Sequence, residues 1–230
     1  MKQLLCFCFL LTFVKWTTAQ QNYWTAGSPY QLNWKKDAWI GGAALLTLGT
    51  GAYLITNETT PFFEPGSFTQ ADIDALNFLD RPVAGRWDLK AKDAGKIFKN
   101  TARLGVPLVL VALPGDWKSR VTLATMFVEG TALSMGLMAT AKATTDRYRP
   151  FTYLSTEQIE ALEGEAKEDF WEDIEDDGIE DSFYSGDASA TAFGFIFFAK
   201  VFNDYYPDSK WRYGVWAVSV TGTVLGAYYR

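Results

Sequence analysis

Long apolar runs separated by polar segments dominate the hydrophobic pattern of this 230-residue chain. The clearest runs are AWIGGAALLTLGTGAYLI at 38–55, which is uncharged, and VTLATMFVEGTALSMGLMATA at 121–141, which only Glu129 interrupts. A helix needs roughly 18 or more apolar residues to cross a bilayer. Each run is therefore predicted to form a helix long enough to span a membrane.

Three further apolar runs predict additional helices: LGVPLVLVALPG at 104–115, ASATAFGFIFFAKVF at 188–202 and YGVWAVSVTGTVLGAYY at 213–229. Residues 56–100 are predicted to form loops and amphipathic helices, with Thr69 capping a helix that DRP at 80–82 ends. No stretch alternates in the manner of a strand, so the predicted fold class is all-α.

The first 19 residues predict an export signal. They have a short basic start, an apolar run, and small residues at Thr17 and Ala19 where a signal peptidase reads. Both cysteines, Cys6 and Cys8, lie inside this run, so a processed chain would have no thiol and no disulfide. Residues 20–37 are then an exported N-terminal segment ahead of a helical domain at 38–230.

The runs favour the cell-envelope membrane as the location, although the mean hydropathy of −0.05 leaves a soluble exported bundle as an alternative. Topology stays open as well. With the signal removed, three spans would place residues 142–149 on the cytoplasmic side. Two spans, with 104–115 not crossing, or a soluble bundle would place these residues outside.

The charge distribution is uneven. Residues 157–181 hold 13 acidic residues against the single basic residue Lys167, whereas the net charge of the whole chain is −6. The segment 155–183 is therefore predicted to be an acidic, solvated and partly disordered loop. Residues 173–181 resemble a calcium loop, but Tyr184 stands where the bidentate Glu is needed, so no calcium site is expected. The chain has no basic run of the kind that indicates a nucleic-acid partner, so none is expected.

Candidate anion-binding residues occur at three places. Lys142 ends an apolar run, and Arg149-Pro150 follows after six residues, so two cations flank a turn that the proline enforces. Ser185-Gly186 precedes the apolar run at 188–202, where a helix N-terminus would direct free N–H groups at an oxyanion.

Arg230 follows the last apolar run and is a third candidate cation. Taken singly, each of these residues has an ordinary structural explanation. A basic residue such as Lys142 or Arg147 can anchor a helix at a membrane interface. Ser185 with Asp187 can serve simply as a helix N-cap.

In their order and spacing, these residues resemble the type-2 phosphatidic acid phosphatase and vanadium haloperoxidase superfamily over about 38–230. Its first motif, Lys, six residues, Arg-Pro, is matched by Lys142, Arg149 and Pro150. Its Pro-Ser-Gly-His motif is matched in part by Tyr184-Ser185-Gly186-Asp187, and the opening of its third motif by Tyr229-Arg230. The resemblance implies that bundle fold, with about five core helices present and the last missing.

By the same resemblance, the activity would be hydrolysis of a phosphate ester or a lipid phosphate. Lys142, Arg149, Ser185, Gly186 and Arg230 would bind phosphate, and two histidines would serve as nucleophile and general acid. No cofactor is implied for a phosphatase, and vanadate is implied only for a haloperoxidase.

This sequence contains no histidine, and Asp187 stands in the position of the family's general acid. An Asp among cations is expected to be ionised, so it would neutralise the phosphate-binding cations rather than donate a proton. The chain is therefore expected to be inactive or a fragment, or else a non-catalytic binding or scaffold protein of the envelope.

Overall fold

The computed structural model describes residues 28–57, 63–78, 80–107, 109, 116–145, 147–175, 179–180 and 182–229. The predicted export signal, both cysteines and Arg230 lie outside the described residues. Residues 108 and 110–115 of the apolar run at 104–115 lie outside them as well.

The described residues form eight α-helices and no strand, which confirms the predicted all-α class. The particular bundle type stays a prediction. The helices are α1 (Trp34–Asn57), α2 (Gln70–Ala75), α3 (Leu89–Asn100), α4 (Trp117–Lys142), α5 (Thr156–Glu160), α6 (Gly164–Glu175), α7 (Gly186–Tyr205) and α8 (Trp211–Tyr228). A π-helical turn, Thr101–Gly105, extends α3, and a 3₁₀ turn, Pro150–Tyr153, precedes α5.

Polar residues start these helices by satisfying their first N–H groups. The carboxylate of Asp116 accepts a hydrogen bond from the Ser119 N–H at 2.9 Å before α4. The predicted cap at Thr69 is confirmed, since its N–H donates to Asp72 Oδ2 at 2.7 Å. This helix, α2, ends at Ala75, before the DRP sequence that was predicted to end it.

Two helices, α1 and α4, pack closely and run parallel. A Cβ on Gly136 would lie 2.2 Å from Thr47 Oγ1, and one on Gly51 would lie 2.5 Å from Ala139 Cβ. The two contacts advance together along both helices, which fixes the parallel direction. The Thr140 hydroxyl also donates to the Thr47 carbonyl at 3.1 Å. Small residues at the contact thus let the backbones approach, as in packed membrane helices.

Helix α7 runs opposite to α4, because Gly186 contacts Met138 whereas Phe193, farther along α7, contacts the earlier Gly130. Helix α8 runs opposite to α7, as Gly222 faces Phe195 and Gly226 faces Thr191. Consequently α1, α4 and α8 point one way and α7 points the other. We call the end of the bundle at which α4 ends and α7 begins the cradle end, and the opposite end the far end.

The main core lies toward the far end, between α4, α7, α8 and the residues after the π-helical turn. Its fully or nearly fully buried members include Val106, Val109, Leu123, Val201 and Tyr206.

The segment before α1 is fastened to the same end. Tyr30 Oη donates to Asp204 Oδ2 at 2.6 Å, and the hydroxyls of Ser28 and Tyr205 lie 2.8 Å apart. The far end therefore carries the start of the described chain.

A second core forms a cap over the cradle end, made of the described parts of 63–96 and 143–185. Phe151, Ile159, Phe170 and Ile179 are buried there, and Trp87 packs against them. The interpretation of 155–183 as a loop is therefore wrong for its described residues, because α5 and α6 lie within it. Although α5 and α6 are rich in acids, one face of this segment supplies buried apolar side chains, and burying them fixes the segment in place.

Within the described part of the chain, two helices, α1 and α4, are long and apolar enough to cross a membrane by length and composition. Their most apolar windows of 18 residues have mean hydropathies of 1.5 and 1.4. This finding agrees with a membrane location, and the exported location stays a prediction.

Candidate functional site

The first candidate segment begins where α4 ends. Lys142 is the last residue of α4, and Pro150 is the first residue of the 3₁₀ turn. The predicted turn after Arg149 is therefore present, with Arg149 as its N-cap residue in an extended conformation.

Backbone hydrogen bonds bring this segment beside the second candidate segment. The Arg149 N–H donates to the Ile179 carbonyl at 2.8 Å, and the Arg147 N–H donates to the Glu180 carbonyl at 2.9 Å. In return, the Ser182 N–H donates to the Arg147 carbonyl at 3.0 Å. The chain just before Ser185 thus lies against the chain that carries Arg149, although about thirty residues separate them in sequence.

Ser185 is the N-cap of α7, as its Oγ accepts a hydrogen bond from the Ala188 N–H at 3.2 Å. The ordinary structural explanation of this serine is confirmed. Gly186, the next residue, packs on α4, since a Cβ built on it would lie 3.4 Å from Met138 Sδ. Lys142 is on the same face of α4 as Met138, one turn farther on. The end of α4 and the start of α7 are therefore adjacent.

Tyr184, which directly precedes Ser185, also holds the start of α7 against α4. Its hydroxyl donates to the Ser134 carbonyl on α4 at 3.4 Å. Burial raises the pKa of the Tyr184 phenol, so this group stays protonated and can keep donating.

Asp187 forms an ion pair with Lys99 of α3, with Nζ and Oδ1 3.1 Å apart. The two side chains are only 21% and 13% exposed. Sequence analysis missed Lys99 because 88 residues separate the partners. The one available signal was the spacing of Lys92 and Lys99, which are seven residues apart and so share a face of α3.

The third candidate segment reaches the same corner of the bundle. The Tyr229 ring stacks on Phe98 with centroids 6.2 Å apart, and Phe98 directly precedes Lys99. Thr191, against which Gly226 packs, also donates its hydroxyl to the Asp187 carbonyl at 2.7 Å. The predicted phosphate-binding Arg230 follows Tyr229 but lies outside the described residues.

Arg147, the other cation of the first segment, joins parts of the cap. Its guanidinium forms an ion pair with Asp80 and lies 5.7 Å from the centroid of the Phe183 ring. In this structure it links the cap segment at 80–85 to the chain before α7.

The calcium-like acidic sequence serves another role where it is described. Asp173, its first residue, forms an ion pair with Lys92 at 2.8 Å. Among the described residues, no group of three or more His, Cys, Asp or Glu side chains is arranged to hold a metal ion.

The structure thus places near one another the N-terminus of α7, Gly186 packed on α4, and cationic residues on α3, at the end of α4 and at the turn at Arg149. No protein-family model, curated protein or solved structure matches this chain.

Proposed function

We propose that this chain is a helical-bundle protein of the phosphatidic acid phosphatase type 2 and haloperoxidase kind, located in the cell-envelope membrane. Its cradle end binds the phosphate group of a phosphate ester or lipid phosphate. Lys142, Arg149, Ser185 and Gly186 are the described binding residues, and Arg230 is assigned with them from the sequence. The observation that carries this proposal is the backbone pairing of the Arg149 segment with the chain that leads into Ser185-Gly186.

Charge and hydrogen bonding both support an oxyanion as the ligand. A helix N-terminus presents free N–H groups and a partial positive charge. A guanidinium can donate two parallel hydrogen bonds to one phosphate, and an ammonium adds a point charge. No vanadium or metal enters the proposal.

Hydrolysis is not expected from these 230 residues. The route that the resemblance implies needs histidine as nucleophile and as general acid, and this sequence has none. Asp187 occupies the acid's position and is paired with Lys99. This ion pair favours the second candidate function, a non-catalytic binding or scaffold protein on the same bundle.

Binding of inorganic phosphate to the purified chain in detergent, followed by calorimetry, tests the proposal. Asp187→Asn removes one negative charge from the cradle and is expected to tighten binding about tenfold, and Arg149→Ala should weaken it at least as much. Arg212→Ala, at the far end, is the matched control and should leave binding unchanged. Absence of binding even in Asp187→Asn, or equal effects at residues 149 and 212, would contradict the proposal.

Release of phosphate from a soluble monoester is measured in parallel. The expected result is no turnover by the wild-type chain. Turnover that disappears in Arg149→Ala would show that the chain is an enzyme after all.

A further inference from the structure

The outer surface of the bundle carries exposed apolar side chains on three helices. The exposed aliphatic side chains on these helices are Ile40, Leu45, Leu46, Ile55, Val121, Val128, Met135, Leu137, Val218, Val220, Val224 and Leu225. They occur on α1, α4 and α8. Only 11% and 17% of the apolar windows of α1 and α4 are buried, whereas a core helix of a soluble protein would be mostly buried.

Exposed aromatic residues mark both ends of this surface. The far end has Trp34, Trp39, Trp117, Trp211 and Tyr213, and Trp39 is 82% exposed. The cradle end has Tyr53, near the end of α1, and Tyr228, at the end of α8. Because α1, α4 and α8 all point toward the cradle end, these residues form two levels and are not scattered. Trp and Tyr at two levels are typical of the two interfaces of a membrane.

Charged residues are nearly absent between the same two levels. Between Trp39 and Tyr53, and between Arg212 and Tyr228, the chain has no acidic or basic residue, and Glu129 alone interrupts 121–141. Basic residues flank the far level: Lys35, Lys36, Lys118, Arg120, Lys210 and Arg212. Such residues pair with lipid phosphates at the edge of the hydrocarbon.

The spacing of the two levels is close to the thickness of the hydrocarbon layer. At 1.5 Å per residue, α1 rises about 21 Å from Trp39 to Tyr53 and about 29 Å from Trp34, and α8 rises about 26 Å from Trp211 to Tyr228. The hydrocarbon layer of a bilayer is ~30 Å thick.

The apolar surface also lies on opposite edges of the bundle, because α1 packs on α4, α4 on α7, and α7 on α8. A second copy of the chain would cover one edge, whereas lipid would cover both.

We infer that a lipid bilayer surrounds α1, α4 and α8 between these two levels, so that the far end and the cap face opposite sides of the membrane. Helices α1 and α4 run parallel and both end at the cradle end, so Tyr30, which precedes α1, and Lys142, which ends α4, then lie on opposite sides. The cradle opens on the side opposite to the segment before α1. This inference rests on the membrane location in the proposed function and does not depend on phosphate binding.

Labelling of single cysteines with a membrane-impermeant maleimide tests it in sealed vesicles of either orientation. The background is the full chain with Cys6 and Cys8 changed to Ser. Gln31→Cys and Asp208→Cys report the far end, and Ala71→Cys and Glu168→Cys report the cap. Leu46→Cys and Val224→Cys report the apolar surface.

The two far-end sites should react in one vesicle orientation only, and the two cap sites in the other only. The sites at 46 and 224 should stay unlabelled in both orientations. All four polar sites reacting from the same side would overturn the inference, whether a soluble bundle or a second copy covered the helices. Labelling at 46 and 224 in intact vesicles would overturn it as well. A phosphate-binding result of either sign leaves these outcomes unchanged.

Discussion

Lys99 and Asp187 are 3.1 Å apart at the corner where α3, α7 and the end of α8 meet. Each is largely shielded from solvent, so neither charge is well compensated by water alone. The pair joins the proposed anion site to a helix that sequence analysis did not connect with it. Its strength therefore decides both local stability and how strongly Asp187 opposes a bound anion.

Lys99→Ala is expected to lower the free energy of unfolding by about 1–2 kcal/mol, because it leaves a shielded carboxylate without this partner. Asp187→Asn in the Lys99→Ala background should restore part of the loss, since the shielded negative charge is then removed. Thermal unfolding in detergent measures both effects. The control is Lys96→Ala, which removes an exposed pair with Asp93 and should change stability by less than about 0.5 kcal/mol. Equal losses of stability in Lys96→Ala and Lys99→Ala would mean that the shielded ion pair contributes no more than the exposed one.

The close packing of α1 on α4 predicts that a single added methyl group at Gly51 destabilises the bundle. A Cβ at Gly51 would lie 2.9 Å from the backbone carbonyl carbon of Ala139, so Gly51→Ala forces the helices apart and is expected to destabilise by about 1–3 kcal/mol. At Gly49, no atom of the described residues lies within 4 Å of such a Cβ. Gly49→Ala should therefore be neutral, or stabilise by up to ~1 kcal/mol through helix propensity. Circular dichroism melting curves of the two variants compare them directly, and a larger loss at 49 would show that the helices pack differently.

The apolar runs predicted the main helices well because a long uninterrupted run has few alternatives to a helix. Helix α1 extends four residues before and two after the run at 38–55, and α4 extends four residues before and one after the run at 121–141. The flanking polar residues continue each helix, and Asp116 supplies a cap that the apolar run itself does not contain.

The cap could not be predicted in the same way, because its apolar residues are sparse among acids. Ile159, Phe170 and Ile179 each stand next to an acidic residue in a strongly acidic segment, so the net charge suggested a solvated loop. Their burial depends on Phe151, in the 3₁₀ turn before α5, and on Trp87, which comes from the distant segment before α3. The Lys99–Asp187 pair was hidden for the same reason, since a contact across 88 residues leaves no local pattern.

Phe170 tests whether the acidic segment is a folded part of the protein. Its ring is fully buried, 5.8 Å from Trp87 and 6.0 Å from Phe151 by ring centroids. Phe170→Ala is expected to destabilise the cap by about 3–5 kcal/mol. The adjacent Trp171, which is 40% exposed, is the control, and its replacement by Ala should have a much smaller effect.

Limited proteolysis of the cap, with membrane helices protected, measures the difference. Phe170→Leu retains most of the apolar volume and should recover part of the resistance. A wild-type segment cleaved as fast as Phe170→Ala would mean that 155–175 is a loop in solution.

Because of Lys92, the stability of the cap is expected to depend on pH in the alkaline range. Its ammonium contacts Asp169 at 2.5 Å and Asp173 at 2.8 Å. Partial burial lowers the pKa of Lys92, but the hydrogen bonds and charges of the two aspartates outweigh burial and raise the pKa above its ordinary value. Because the pKa is higher in the folded state, the resulting stability is fully present below the ordinary lysine pKa of about 10.4 and is lost as pH rises through the folded value.

The denaturant midpoint of cap unfolding should therefore fall above about pH 10.4 in the wild type, and fall less in Lys92→Met, in which this titration is absent. Trp87 lies 5.0 Å from the Lys92 ammonium by its ring centroid, so its fluorescence reports the site. The difference between wild type and a Trp87→Phe variant isolates that signal from the other tryptophans. Lys90→Met, at an exposed position in the same turn, is the matched control and should retain the wild-type pH profile. The same profile in Lys92→Met and the wild type would mean that the two aspartates do not hold a charged lysine in the folded cap.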